Sequence, residues 1–251
     1  MRTIFRSVCL FIQTTTFLHY FISSTTTPSS ELSQYKIISE KRAYSRYRTI
    51  LQRQVQFPPS SIDGSDVETE SIENSRKIVD FDLVDQRGIG AVIIFAYDTN
   101  TKTATLIREY NPGCHSMLYG PAAGLVEEKH VSDEDNEENA SSRDNCEESF
   151  WRKAAEWELE EECHLQGGIW HDLGEKTAMD KYVVTKVKPY LVLNPIRVNN
   201  PRALDNEEEI EIVSGITIDR VWDMVRNGEM NLVGGWACIL ALQKLEELDL
   251  L

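Results

Sequence analysis

Residues Ile89–Tyr97 read I-G-A-V-I-I-F-A-Y, a run without a charged side chain. A strand of this kind is expected to be buried on both faces, so its sheet needs cover on both sides. That requirement restricts the architecture more than any other stretch. Asp98–Lys102 (D-T-N-T-K) reads as a turn and Thr103–Tyr110 as the returning strand. Together they predict a β-hairpin within a mixed sheet.

Further elements surround the hairpin. Arg48–Phe57 (R-T-I-L-Q-R-Q-V-Q-F) and Val79–Val84 read as strands. Between them, Pro58-Pro59-Ser60-Ser61 opens a polar, acidic loop running to about Asn74. Phe150–Leu165 is the strongest helix, with Ala155, Leu159 and Cys163 recurring every fourth residue as its inward stripe. Gly167-Gly168 marks its end. Tyr182–Leu193 reads as a strand in which Pro189 argues for an edge or a bulge. Ile210–Ile218 reads as another strand. Asp219–Asn227 and Trp236–Leu248 read as helices, with Asp219 as N-cap and Gly228 as stop for the first. The interleaving predicts an α/β (α+β) domain.

Charge narrows the partners. Of 251 residues, 41 are acidic and 26 basic, a formal net charge of -15. Such a surface repels nucleic-acid phosphates, which excludes a duplex-binding role. A phosphate-bearing substrate would need metal ions to offset the field. The acids concentrate in 128–148, E-K-H-V-S-D-E-D-N-E-E-N-A-S-S-R-D-N-C-E-E, whose apolar residues are Val131, Ala140 and Cys146. Too little can be buried there for a packed element, so a loop is expected.

The five cysteines form no C-x-x-C pair and stand at no zinc spacing from histidine. Free thiols in a reducing compartment follow. His115, His130 and His171 have no metal-spaced partner and read as surface residues. Trp222 and Trp236 lie on helical faces and read as core. Residues 1–30 hold Arg2 and Arg6, no acid, and an apolar stretch from Val8 to Ile22. That is the composition of a targeting segment, for a plastid, a mitochondrion or the secretory pathway. Without targeting, the cytoplasm is the expected compartment. Gln13–Thr16 and His19 interrupt the stretch, which argues against a stable membrane span.

The chemistry is carried by Ala154–Leu165, A-A-E-W-E-L-E-E-E-C-H-L. On a helix, Glu158, Glu161 and Glu162 share one arc. Close carboxylates repel one another, and a cation among them relieves this. Oxygen ligands suit a hard ion such as Mg2+ (or Mn2+), which keeps waters and takes further ligands from substrate phosphates. The plain alternative is a solvated acidic helix face.

With Gly120–Glu128 (G-P-A-A-G-L-V-E-E) upstream, these residues resemble the Nudix hydrolase signature, G-x5-E-x7-R-E-U-x-E-E-x-G-U, U being a bulky aliphatic residue. Gly124 matches the opening glycine, and Glu158, Leu159, Glu161, Glu162 and Leu165 match E-U-x-E-E-x-x-U. P-A-A-G-L-V-E, I107-R-E-Y and Asn206–Val213 (N-E-E-E-I-E-I-V) are similar to the ADP-ribose and nucleoside-diphosphate-sugar branch. The resemblance implies a Nudix-type α/β/α sandwich with a mixed β-sheet over 78–251, preceded by N-terminal strands in 31–77. It implies metal-dependent hydrolysis of a nucleoside-diphosphate-linked small molecule to a nucleoside monophosphate and a sugar phosphate. Glu158 and Glu162 would be metal ligands, Glu161 a ligand or its support, and the Ala123 carbonyl a further ligand. A late-loop glutamate, Glu208 or else Glu209, would join the metal or act as base alongside Glu162. Branch members pair through N-terminal strands, which implies a homodimer through residues 43–85.

This chain departs from the pattern in four places. Trp157 stands where the arginine belongs, with Arg152 one and a half turns away as the substitute cation. His164 stands where the helix-ending glycine belongs. Gly124 and Trp157 lie 33 positions apart where the pattern has 14, an acidic insertion of 19 residues. The first box glutamate falls on Ser149, leaving Glu147 or Glu148 for its role. A Nudix-like domain that binds a nucleotide or a protein without turnover is the alternative these departures keep open.

Overall fold

A computed structural model describes residues 34–46, 48–58, 76–86, 88–127, 143–204 and 209–251, with side chains in the 143–163 helix described from Ser149 onward. The targeting segment expected in 1–30, all but Pro58 of the loop expected to run to about Asn74, residues 128–142 of the acidic insertion, His130 and Glu208 lie outside them.

Three strands, β1 (Lys36–Ser45), β2 (Thr49–Gln56) and β3 (Ile78–Asp85), form a sheet in that order. Every residue of β1 is exposed. Contacts divide the chain into two compact units. The described residues of the smaller are 34–37, 55–58 and 76–79. Within it, the Tyr35 ring meets Phe57 edge-on at 5.3 Å, and the Phe57 N–H donates to the Lys77 carbonyl. The larger unit holds residues 38–54 and 80–251.

Its centre is an eight-stranded mixed sheet. β4 (Gly90–Asp98) and β5 (Thr103–Asn111) form the predicted hairpin, with Ala96 opposite Thr105. The turn is held by Asp98, whose Oδ1 accepts from the N–H groups of Asn100 and Thr101. β6 (Ser116–Gly120) pairs with β5, and β7 (Ala122–Val126) pairs with β4. β11 (Lys186–Leu193) runs parallel to β4 on its other side. β9 (Ile169–Asp172) and β10 (Thr177–Ala178) flank β11, and β13 (Ile210–Thr217) pairs with β5. A separate two-stranded pairing joins β8 (Leu165–Gln166) to β12 (Ile196–Arg197).

The apolar run in β4 explains the layers. Its side chains alternate between faces, as a period of two dictates. Val92, Ile94 and Ala96 join Trp151, Ala155 and Leu159 of α1 (Arg143–Cys163). Phe95 and Tyr97 join Val221 of α2 (Ile218–Arg226) and Leu242 of α3 (Leu232–Glu247). The result is an α/β/α sandwich around a mixed sheet.

β11 begins at Lys186, not Tyr182, the long helix ends at Cys163, not Leu165, and three helix starts differ from the sequence reading, each for a local reason. α1 begins at Arg143, so the last part of the acidic insertion is helix, not loop. Apolar periodicity marks only the packed part of a helix and is blind to turns that carry no apolar stripe. α3 begins at Leu232, not Trp236, because Asn231 caps it by accepting the Gly234 N–H at 2.7 Å. The α2 cap is Thr217, whose hydroxyl accepts from the Arg220 N–H, so Asp219 sits in the first turn. Either residue type suits the helix start, by side-chain acceptance at the cap or by charge against the dipole.

Pro189 lies in neither an edge strand nor a bulge. It stands opposite Ile93 inside a strand with neighbours on both sides. The antiparallel flank is interrupted there, since β10 covers Lys186 and Val187 while β9 covers Tyr190–Leu193. The Pro189 carbonyl accepts from the Leu173 N–H on that side. A strand residue's N–H and C=O point the same way, so the missing donor faces the gap. Among the described residues, no helix is long and apolar enough to cross a membrane.

Candidate functional site

β7 and α1 meet at backbone level. A Cβ added to Gly124 would lie 2.1 Å from both Cδ and Oε1 of Glu158. Only a residue without a side chain lets the Glu158 carboxylate seat there. One turn further along α1, Glu162 Oε2 accepts the Ala123 N–H at 2.7 Å. Ala123 stands opposite Ile93 in β4 but gives its N–H to Glu162, so the two strand residues exchange no bond at this point. In such a pair both N–H and C=O point away from the partner strand. The Ala123 carbonyl therefore faces the same side as Glu162.

Glu158 and Glu162 are buried, and the helix holds them there because Leu159 and Cys163, on the adjoining stripe, are locked into the core. Glu158, Glu161, Ala123 and Gly124 line a cleft of about 1150 Å³. Glu162 is absent from its wall and acts from behind, on the β7 backbone. The first turn of α3, from Asn231 to Gly234, also borders the cleft. Leu232 there is 85 % exposed, a large apolar side chain left at the rim.

Three further lining residues escaped the sequence reading. Arg46 and Arg48, which flank the turn between β1 and β2, supply the basic side chains on a wall with four carboxylates, Glu109, Glu127, Glu158 and Glu161. Glu109 stands opposite Leu118 in β6, and burial raises its carboxyl above the ordinary range. I107-R-E-Y marked its strand but nothing in that run marked Glu109 as a wall residue. Strand pairing alone brings it there.

The late-loop glutamates are placed as follows. Glu209 is exposed and adjoins Ile210, which stands directly opposite Glu109. It is not among the lining residues. Glu211 is engaged across the strands, accepting from Arg108 at 3.0 Å. Among the described residues, no three His, Cys, Asp or Glu side chains converge as a ready metal cage.

The departures from the pattern acquire structural answers. His164 has φ +56°, the left-handed conformation a glycine would take. Its N–H donates to the Glu160 carbonyl and its carbonyl accepts from Val198, so the helix still ends at that residue. Histidine pays a steric cost there that glycine does not, on the order of 1 kcal/mol. His164→Gly is therefore expected to raise stability by about that amount, read as a higher urea midpoint with unchanged slope. Arg152 is occupied elsewhere, paired with Glu156 at 3.0 Å and stacked 3.9 Å from the Trp170 ring centroid. The cations beside Trp157 are instead Arg202, 4.0 Å from the ring centroid, and Lys153, at 5.9 Å. The side chains of Glu147 and Glu148 lie outside the described residues.

His171 is not a plain surface residue. Its Nε2 is buried without a hydrogen-bond partner. His115 is exposed, its Nδ1 2.6 Å from the Tyr110 hydroxyl. Trp222 and Trp236 pack, partly buried, against the core. Of the described cysteines, Cys163 and Cys238 are buried free thiols, and burial pushes Cys238 up to about 12.

No protein-family model matches this chain, and no curated protein does. Among solved structures, it is similar to the crystal structure of an ADP compounds hydrolase, with 17 % identity and a TM-score of 0.59. The match covers 87 % of this chain and 97 % of that one. The fold is Nudix-like.

Proposed function

We propose that this protein hydrolyses the diphosphate linkage of ADP-ribose or a related nucleoside-diphosphate sugar, with a divalent metal ion. The observation that carries this reading is the seating of the Glu158 carboxylate on Gly124, at the wall of a cleft of about 1150 Å³. That space suits a dinucleotide-sized ligand. The name of the similar solved structure, an ADP compounds hydrolase, supports the same substrate class.

The donor set fits Mg2+ or Mn2+. It is all oxygen, and Mg2+ asks the protein for only one or two carboxylates, leaving waters and phosphate oxygens to complete its shell. Glu158 and Glu161, with the Ala123 carbonyl, would hold the ion. When bound, the ion offsets diphosphate charge and eases deprotonation of the attacking water. The remaining work falls to the chain itself. Glu162 fixes the β7 backbone through the Ala123 N–H. Arg46 and Arg48 offer bidentate donors to phosphate oxygens. By the resemblance, Glu208, or else Glu209, would take the proton of the water as its oxygen bonds to phosphorus. The P–O bond of the linkage then breaks, leaving a nucleoside monophosphate and a sugar phosphate.

The test is to incubate purified protein with a panel of nucleoside-diphosphate sugars and Mg2+ or Mn2+, following phosphate esters by chromatography. Turnover of at least one member is expected. Glu162→Gln is expected to lower kcat/KM about 10- to 100-fold, the range for a residue that orients a metal site from behind. Metal-dependent ligand binding with no turnover of any panel member would favour a binding module instead.

A further inference from the structure

We propose that Glu109 is a sugar-binding residue of the cleft, its carboxylate accepting from two adjacent hydroxyls of the substrate. The sugar-bearing substrate is taken from the hydrolase reading above, which this deepens.

Strand β5 aims the side chain. Glu109 lies two residues beyond Ile107, so strand alternation puts both on one face. Ile107 packs in the cluster that includes Leu159 of α1, and both Ile107 and Glu109 line the cleft. Arg108, between them, faces the other way and pairs with Glu211 at 3.0 Å. Glu109 is half-buried, and the residues directly opposite it on both neighbouring strands are apolar, Leu118 in β6 and Ile210 in β13. Neither of these partners has a side-chain donor to offer the carboxylate.

Glu109 differs in this from the other carboxylates of the wall. Glu127, Glu158 and Glu161 each have interactions of their own. Among the described residues, Glu109 has no hydrogen bond or ion pair. An ionised carboxylate only accepts, and one that is partly desolvated without donors is costly. A ligand seated beside it must therefore bring donors. A diphosphate brings none. A sugar brings hydroxyls, and two on adjacent carbons can meet the two carboxylate oxygens together, as charge-assisted hydrogen bonds. Room for the ring is present on the same face. Gly120 stands opposite Ile107, and a Cβ added there would meet nothing within 4 Å. Gly120 and Pro121 line the cleft with Glu109, while Arg46 and Arg48 on the same wall are left for the phosphate charge.

The test uses the products of the proposed reaction, which bind without turning over. AMP is compared with 2′-deoxy-AMP, and ribose 5-phosphate with 2-deoxyribose 5-phosphate. Dissociation constants are measured by calorimetry with Mg2+ for the full chain and for Glu109→Ala, Glu109→Asp and Glu211→Gln, with circular dichroism to confirm folding. The wild type is expected to prefer the hydroxyl-bearing member of one pair at least about tenfold, the worth of a hydrogen bond to a charged group. Which pair shows the preference tells the nucleoside ribose from the distal sugar. Glu109→Ala should narrow that preference to within about twofold while binding the deoxy member as the wild type does. Glu109→Asp, which keeps the charge, should retain part of the preference. Glu211→Gln, on the opposite face, should retain all of it. In turnover, Glu109→Ala should raise KM of the preferred panel member about tenfold with kcat within about threefold, the mark of lost uniform binding. A wild type that binds both members of each pair alike, or binds none of the four, overturns the subsite. So does a folded Glu109→Ala variant that keeps the preference or weakens both members of a pair equally. Turnover without a hydroxyl preference removes the subsite and leaves the hydrolase reading standing. A hydroxyl preference lost in Glu109→Ala, with no panel member turned over, supports the subsite and overturns the hydrolase reading.

Discussion

Replacing Gly124 with alanine is expected to lower turnover at least about a hundredfold. The added methyl carbon would lie 2.1 Å from the Glu158 carboxyl carbon, far inside contact distance. The carboxylate is the far end of a side chain, so it is the group that gives way. Relief takes a shift of about 1 Å or more, a displacement that costs on the order of 10² in rate when it moves a group at the reacting centre. The backbone of β7 stays paired to β4 through the flanking residues, so the fold should persist. The measurement is kcat/KM for the preferred substrate, with circular dichroism to confirm folding. Gly235→Ala is the control: its added methyl would meet Val225 at 3.7 Å, an ordinary contact, in a helix that gains from alanine. A Gly124→Ala enzyme as fast as the wild type would show that the Glu158 seat is irrelevant to the chemistry.

Trp151→Ala is expected to cost about 3–5 kcal/mol of stability. Trp151 is 2 % exposed, and its ring fills the space above Gly90, where an added Cβ would lie 1.9 Å from the indole. Helix α1 is held to the central strand at this point, and the Lys176 ammonium caps the ring 4.5 Å from the indole ring centroid. Removing the ring leaves a cavity that a glycine opposite cannot close. For a chain of this size the loss corresponds to a melting shift of about 10 °C. Trp151→Phe should cost much less, about 1 kcal/mol, because the indole N–H is buried without a partner and its removal leaves nothing unsatisfied. Thermal unfolding of the two variants decides the point. Equal midpoints for Trp151→Ala and the wild type would refute the anchoring role.

What could be read from the sequence follows a physical division. β4 and its hairpin were legible because burial on two faces leaves an unbroken apolar run and the turn residues have local chemistry. The inward stripe of α1 was legible because Ala155, Leu159 and Cys163 repeat with the helix. Features set by distant partners were not legible. Pro189 looked like an edge residue because the interruption between β9 and β10 lies elsewhere in the chain. Glu109, Arg46 and Arg48 reach the cleft through strand pairing and a turn, and no spacing in their own segments marks them. His164 looked unsuited to a helix end, yet it adopts the glycine-like angle. Among non-glycine residues, histidine is one of the few enriched there. The carboxylates themselves were legible from their spacing on one helical arc and from the resemblance, while their seat on Gly124 and Ala123 needed the fold.

The Gly124–Glu158 contact is made across space, between a strand fixed by β4 and a helix fixed by Trp151 and Leu159. Both sets of anchoring residues lie outside 128–142. Strand and helix are thus positioned by residues on either side of the sequence that joins them. Lengthening a surface connection is cheap, about 0.6 kcal/mol for each doubling. Insertions or deletions between strand and helix can therefore be accommodated while the carboxylates keep their register against the strand.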